Sequence, residues 1–179
     1  MTKQGSYATE IITALQKLVK ITRASIVVFI LLFLIVHGWN LRFNAPYIIF
    51  GVLTIILSFI VFIFVHEFTH ALGFMLLGKV SLKNLEFGFK RDALSPYMHC
   101  KVGVPINVYR AAILLPVIVG AIPLVWGIIT GNMLVYLFGI LTFVSGYGDI
   151  YVLWLLRNAP SDLIVKDHPE KLGCVVVQN

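Results

Sequence analysis

Residues 61–78 read VFIFVHEFTHALGFMLLG, an apolar stretch interrupted by His66, Glu67 and His70. The stretch lies within a longer apolar run, Ala45–Leu77. A helix needs about 20 apolar residues to cross a bilayer, and it rises about 1.5 Å per residue. The run is therefore too long for one perpendicular crossing, and we expect a membrane helix that tilts or projects at one end.

Three other apolar runs, Ile21–Trp39, Ala111–Ile129 and Met133–Leu156, are also long enough to span a bilayer. Charged residues make up 12% of the chain, whereas a soluble domain carries about 25%. The sequence therefore predicts an all-α membrane protein with four transmembrane helices, built as a single membrane-embedded domain over residues 1–179. An amphipathic pattern in residues 1–23 predicts an interfacial segment, and a simple helical extension of the first span is the alternative.

The distribution of basic residues predicts the orientation. Thirteen of the fourteen Lys and Arg residues lie before the first span, between spans two and three, or after span four, and the opposite loops hold only Arg42. Basic loops stay on the cytoplasmic side. We therefore expect a multi-pass protein of the cell membrane whose two termini, loop 79–108 and tail 157–179 are cytoplasmic. The basic charge is then expected to face the lipid bilayer, and nucleic acid is not an expected partner.

The loop between spans two and three contains two segments of alternating apolar and polar residues. This period of two predicts a small cytoplasmic β-hairpin with its turn around residues 91–96. Its apolar face would lie against the membrane or the helices, and a free edge could bind an extended substrate by strand addition. A purely structural hairpin that caps the bundle is the alternative. The apolar positions are Leu85, Phe87, Phe89, Met98, Cys100, Val102 and Val104.

The polar group in span two has the spacing of a metal site. His66 and His70 are four residues apart, so on a helix they lie on one face and can bind one metal ion. Glu67 lies beside them, placed to hold and deprotonate a water molecule. Ionisable groups inside a membrane are costly, and bound zinc would offset that cost. The alternative is a helix end with polar residues at the membrane interface.

A catalytic zinc site normally has three protein ligands, and the third can be sought by elimination. Of the eight acidic residues, only Glu67 and Asp149 lie within the spans. Spans two and four are expected to run in the same direction. His66 and Asp149 each lie in the part of their span that is nearer to the cytoplasm. Asp149 is therefore the predicted third ligand, although a helix-packing hydrogen bond is an alternative role for it, and Glu86 is the reserve ligand. His99 and Asn107 are candidates for accessory donors to the transition state.

The run HEFTHALGFMLLGKV, residues 66–80, followed by LEFGF, residues 85–89, resembles the zinc helix and strands of site-2-type intramembrane metalloproteases. With SGYGDIYVLWLLR, residues 145–157, in the last span, the chain is more similar still to the bacterial family of putative zincin peptidases. The resemblance implies a bacterial zinc-dependent endopeptidase that cleaves membrane protein or peptide substrates.

Position by position, the same resemblance implies one Zn²⁺ per chain, held by His66, His70 and Asp149, with Glu67 as the catalytic base. Two other functions are weighed against it: a non-catalytic metal-binding membrane scaffold, and a transporter of metal or small solutes. A structural site has no need of a base such as Glu67, which disfavours the scaffold. A single metal site without an obvious inverted repeat disfavours the transporter. The sequence does not indicate an oligomeric state.

Overall fold

The computed structural model of the protein describes residues 4–38, 45–90, 95–168 and 173–177. These residues are mostly helical, and they form the α-helices α1 (Gln4–His37), α2 (Ala45–Gly78), α3 (Ile106–Thr130), α4 (Met133–Ser145) and α5 (Tyr147–Leu156). Its strands are β1 (Leu85–Lys90), β2 (Ser95–Cys100), β3 (Val104–Pro105), β4 (Ile164–Asp167) and β5 (Cys174–Val176).

Within the described residues, four helical segments are long and apolar enough to cross a membrane, namely Lys17–His37, Ile48–Gly78, Ile106–Thr130 and Met133–Leu156. They correspond to the four predicted runs. Their outward side chains are apolar and exposed, as at Ile35, which is 80% exposed. Such a surface is compatible with a multi-pass membrane protein because lipid would cover it.

Helix α1 is continuous from Gln4 to His37. The predicted N-terminal segment therefore runs into the first span without a break, and its place at the membrane interface stays a prediction. Helix α2 has 34 residues, a length of about 51 Å at 1.5 Å per residue. This exceeds a hydrocarbon core of about 30 Å, as the sequence predicted.

Strands β1 and β2 form the predicted antiparallel hairpin, in which Leu85 pairs with Cys100 and Lys90 with Ser95. Of the predicted turn, residues 91–96, the first four lie outside the described residues, and Ser95 and Pro96 belong to β2 instead. Leu85 and Cys100 are buried against the helices, whereas Phe87 and Phe89 are 48% and 52% exposed. The apolar face of the hairpin is thus divided between the bundle and the surroundings.

A second sheet, which the sequence did not predict, joins a short strand before α3 to two strands that follow α5. Its strands are ordered β3–β4–β5 and antiparallel, with Val104 paired to Val165 and Val165 to Val176. Val165 is only 1% exposed and belongs to the same core cluster as Leu85 and Val104. Both sheets therefore lie at one end of the bundle, called the strand end below.

Helices α3 and α4 pack against each other through glycines. A Cβ atom at Gly139 would be 2.2 Å from the backbone nitrogen of Leu124, and one at Gly127 would be 2.5 Å from that of Tyr136. The Thr142 hydroxyl donates to the Gly120 carbonyl at 2.8 Å across the same interface. Small residues let membrane helices approach closely, and these contacts fix the helix pair that leads to Asp149.

The predicted fourth span is divided at Gly146. This residue ends α4, where its N–H donates to the Phe143 carbonyl, and α5 begins at the next residue. Asp149 therefore lies in the first turn of α5, where the helix dipole favours a negative charge. At the other end of α5, Arg110 of α3 donates to the carbonyls of Leu156 and, at 2.9 Å, Ala159. Both ends of this short helix are thus held in place.

Candidate metal centre

The predicted metal ligands meet between α2 and α5. The Nε2 atom of His66 lies 3.1 Å from Asp149 Oδ2, and the Nε2 atom of His70 lies 3.4 Å from Asp149 Oδ1. One ligand atom from each of the three residues falls within 4.8 Å of the others. In the described part of the chain, no other group of three or more His, Cys, Asp or Glu residues has this geometry.

These distances and donor types fit a zinc ion. Two ligand atoms at about 2.1 Å from one tetrahedral ion lie about 3.4 Å apart, which is close to the two nitrogen–oxygen distances given above. Two imidazoles and one carboxylate are also a donor set that zinc accepts in catalytic sites. His66, His70 and Asp149 could therefore hold a metal ion.

The orientation of His70 follows from the close approach of α3. A Cβ atom at Gly73 would lie 2.6 Å from the Ala112 Cα atom, so only glycine lets α3 come this near to α2. The Ala112 carbonyl then lies 3.2 Å from His70 Nδ1 and accepts its proton. This hydrogen bond leaves the Nε2 lone pair free for a metal, the arrangement usual for zinc-bound histidines. By contrast, the Nδ1 atom of His66 is buried and has no hydrogen-bond partner among the described residues.

Glu67 points toward the hairpin. Its Oε2 atom accepts a hydrogen bond of 2.8 Å from the Met98 backbone N–H of β2. Because Glu67 follows His66 directly in α2, the strand fixes this carboxylate beside the three-residue group. A single sequence gave no signal for the contact, since the donor is a backbone amide more than thirty residues away.

The remaining predicted residues do not join the group. Glu86, the reserve ligand, forms a salt bridge of 2.7 Å with Lys101, and this neighbouring ammonium lowers the pKa of the Glu86 carboxyl. His99 is paired with Glu86 on the neighbouring strand. Asn107 is exposed and accepts a hydrogen bond of 2.8 Å from Arg110. The accessory roles of His99 and Asn107 stay predictions, with no contact to the three-residue group to support them.

Asp167 is an acidic residue near the site, and the sequence did not predict a role for it. It lies at the end of β4, and its carboxylate accepts hydrogen bonds from the Cys100 N–H at 2.7 Å and the Tyr109 hydroxyl at 2.8 Å. Asp167 follows the last predicted span, so it was not among the acidic residues inside the spans from which the third ligand was chosen. The two cysteines are free thiols, and burial raises the pKa of Cys174 to about 11.

The comparisons with known proteins agree with the sequence analysis at the level of the family. Searches of curated proteins and of solved structures gave no significant match. A family profile described as "putative zincin peptidase" matches residues 59–164, more than half of the chain. The matched region contains all three candidate metal ligands together with Glu67. The protein therefore belongs to the putative zincin peptidase family.

Proposed function

We propose that this protein is a zinc-dependent endopeptidase that hydrolyses peptide bonds of membrane protein substrates within or beside the bilayer. The observation that carries the proposal is the convergence of His66, His70 and Asp149, with Glu67 as the next residue after His66. Membership of the putative zincin peptidase family supports zinc and peptide hydrolysis. A purely structural metal site would not need an additional carboxylate in this position.

The position of the group supports a substrate at the membrane. His66 precedes Gly78, the last residue of α2, by 12 residues, so it lies about 18 Å from that helix end. Asp149 precedes Leu156, the last residue of α5, by 7 residues, a distance of about 10 Å. The group thus lies inside the apolar segments but nearer to the strand end, where an unwound peptide could reach it.

The roles of the residues follow from their contacts. His66, His70 and Asp149 would hold the ion, and the Ala112 carbonyl would keep His70 in the tautomer that can bind it. Bound zinc would lower the pKa of water toward 7 and polarise the carbonyl of the peptide bond. Glu67 Oε2 accepts from Met98, which leaves Oε1 to take a proton from the attacking water and return it to the leaving amine. β2 keeps this carboxylate from turning away.

Proteolysis by the purified protein tests the proposal. In lipid nanodiscs, we expect it to cleave fluorescently labelled β-casein or synthetic transmembrane peptides. Cleavage should stop with o-phenanthroline, which chelates zinc, and return when zinc is added. The matched control is m-phenanthroline, an isomer that does not chelate and should leave the rate unchanged. Cleavage that persists equally with both isomers would contradict a metal-dependent mechanism.

A further inference from the structure

One edge of β2 is bound by carboxylates instead of by a strand. β2 pairs with β1 on one side only. On the other side, the Met98 N–H donates to Glu67 at 2.8 Å and the Cys100 N–H donates to Asp167 at 2.7 Å. Because these residues are two apart in an extended strand, their N–H groups share one edge and lie about 7 Å apart. An added strand would offer a backbone carbonyl to the Cys100 N–H, while the Met98 N–H keeps its bond to Glu67.

Asp167 reaches this edge from the end of the described tail. β4 pairs with β3 only through Ile164 and Val165, so Asp167 lies two residues beyond the last of these pairs. Past Val165, the ladder continues only to β5, which is itself an outer strand. The family match ends at residue 164. Asp167 is thus contributed by a segment that follows the region shared with the family.

The carboxylate of Asp167 is held in unfavourable surroundings. Burial raises its pKa, although the hydrogen bonds from Cys100 and Tyr109 favour the ionised form. In the described part of the chain, no lysine or arginine forms a salt bridge with it. A partly buried carboxylate without a cationic partner costs stability. This cost is explained if another hydrogen-bond acceptor replaces the Asp167 carboxylate at the Cys100 N–H during function.

We propose that the β2 edge beside Glu67 is the docking edge for an extended peptide, and that Asp167 is a latch that closes it. The Asp167 carboxylate occupies the position of a peptide carbonyl at the Cys100 N–H. Opening would require Asp167 to leave the Cys100 N–H and the Tyr109 hydroxyl, and the paired β4–β5 segment beyond Val165 to move with it. Val165 itself is buried in the core. The inference rests on the proposed function, which supplies the reason for an extended peptide to bind at this edge.

Peptide binding without turnover tests the latch. Full-length protein carrying Glu67→Gln, so that bound casein is not cut, is placed in nanodiscs and titrated against fluorescein-labelled β-casein. Adding Asp167→Ala should lower the Kd about tenfold, because a charge-assisted hydrogen bond of about 1.5 kcal/mol no longer competes with the peptide. The matched control is Asp162→Ala, which removes an exposed carboxylate from the same tail and should leave the Kd unchanged.

Hydrogen exchange provides the second measurement. With Asp167→Ala, the Cys100 amide should exchange about tenfold faster, while amides in α2 and α3 keep their wild-type rates. An unchanged or higher Kd for casein would overturn the latch. If Asp167→Ala does not fold, Asp167→Asn keeps the side-chain shape and should give a smaller change of the same sign. A wild-type chain without zinc would refute the proposed function. The casein titration would still test whether Asp167 closes the β2 edge, because peptide binding needs neither metal nor hydrolysis.

Discussion

Replacing Glu67 by Gln is expected to lower the rate of peptide hydrolysis by about 10²–10⁴-fold, the usual contribution of a general base. Zinc content should not change, because Glu67 points toward β2 and is not one of the three converging ligands. The glutamine oxygen can still accept the Met98 N–H, so the hairpin should keep its place. The measurements are initial cleavage rates of labelled β-casein and the zinc content of the same preparations.

The control for this variant is Glu86→Gln. Glu86 is a hairpin carboxylate bonded to Lys101, and its replacement should leave the cleavage rate within about twofold of wild type, because exposed ion pairs contribute little. Full activity in Glu67→Gln would contradict the role of Glu67 as the base. Loss of zinc in Glu67→Gln would instead place this carboxylate among the metal ligands.

Replacing Gly139 by Ala is expected to lower the free energy of unfolding by about 1–3 kcal/mol, the usual cost of overpacking. We expect a value near the upper end of this range. The added methyl group would lie 2.2 Å from the Leu124 nitrogen and 2.3 Å from its Cα atom. Backbone atoms cannot move aside as a flexible side chain can, so α3 and α4 would have to separate. The measurement is the midpoint of thermal unfolding in detergent, monitored by circular dichroism.

Gly148→Ala is the matched control. Gly148 is also a helical glycine, but a Cβ placed there would have no described atom within 4 Å apart from its chain neighbours and the backbone of its own helix. Alanine should therefore leave stability unchanged or raise it by about 0.5–1 kcal/mol through helix propensity. Equal effects of the two substitutions would contradict the close packing of α3 on α4.

The sequence predicted the features that depend on patterns of neighbouring residues, namely apolar runs and apolar–polar alternation. Four long apolar runs predicted four long apolar helices, and the alternation around Leu85 and Cys100 predicted the hairpin. Elimination pointed to Asp149 because acidic residues are rare inside apolar helices, and the structure brings its carboxylate to His66 and His70. Its role as a ligand is a prediction that proximity supports.

The missed features depend on pairs that are distant in the sequence. β3 has only two residues, too few to show a period of two, and its partner Val165 comes 61 residues after Val104. The break at Gly146 was hidden because the run from Met133 to Leu156 is apolar enough overall to count as one span. Contacts such as Glu67 with the Met98 N–H use a backbone donor, which every residue except proline provides and no sequence pattern marks.

The zinc content of the purified protein tests the central claim most directly. Inductively coupled plasma mass spectrometry should find about one zinc per wild-type chain and less than about one tenth of that in His66→Ala or Asp149→Ala, since each variant leaves two of the three ligands of a catalytic site. Glu86→Ala, which changes a carboxylate outside the group, should retain the metal. Folded wild-type protein without stoichiometric metal, or full zinc content in Asp149→Ala, would contradict the account.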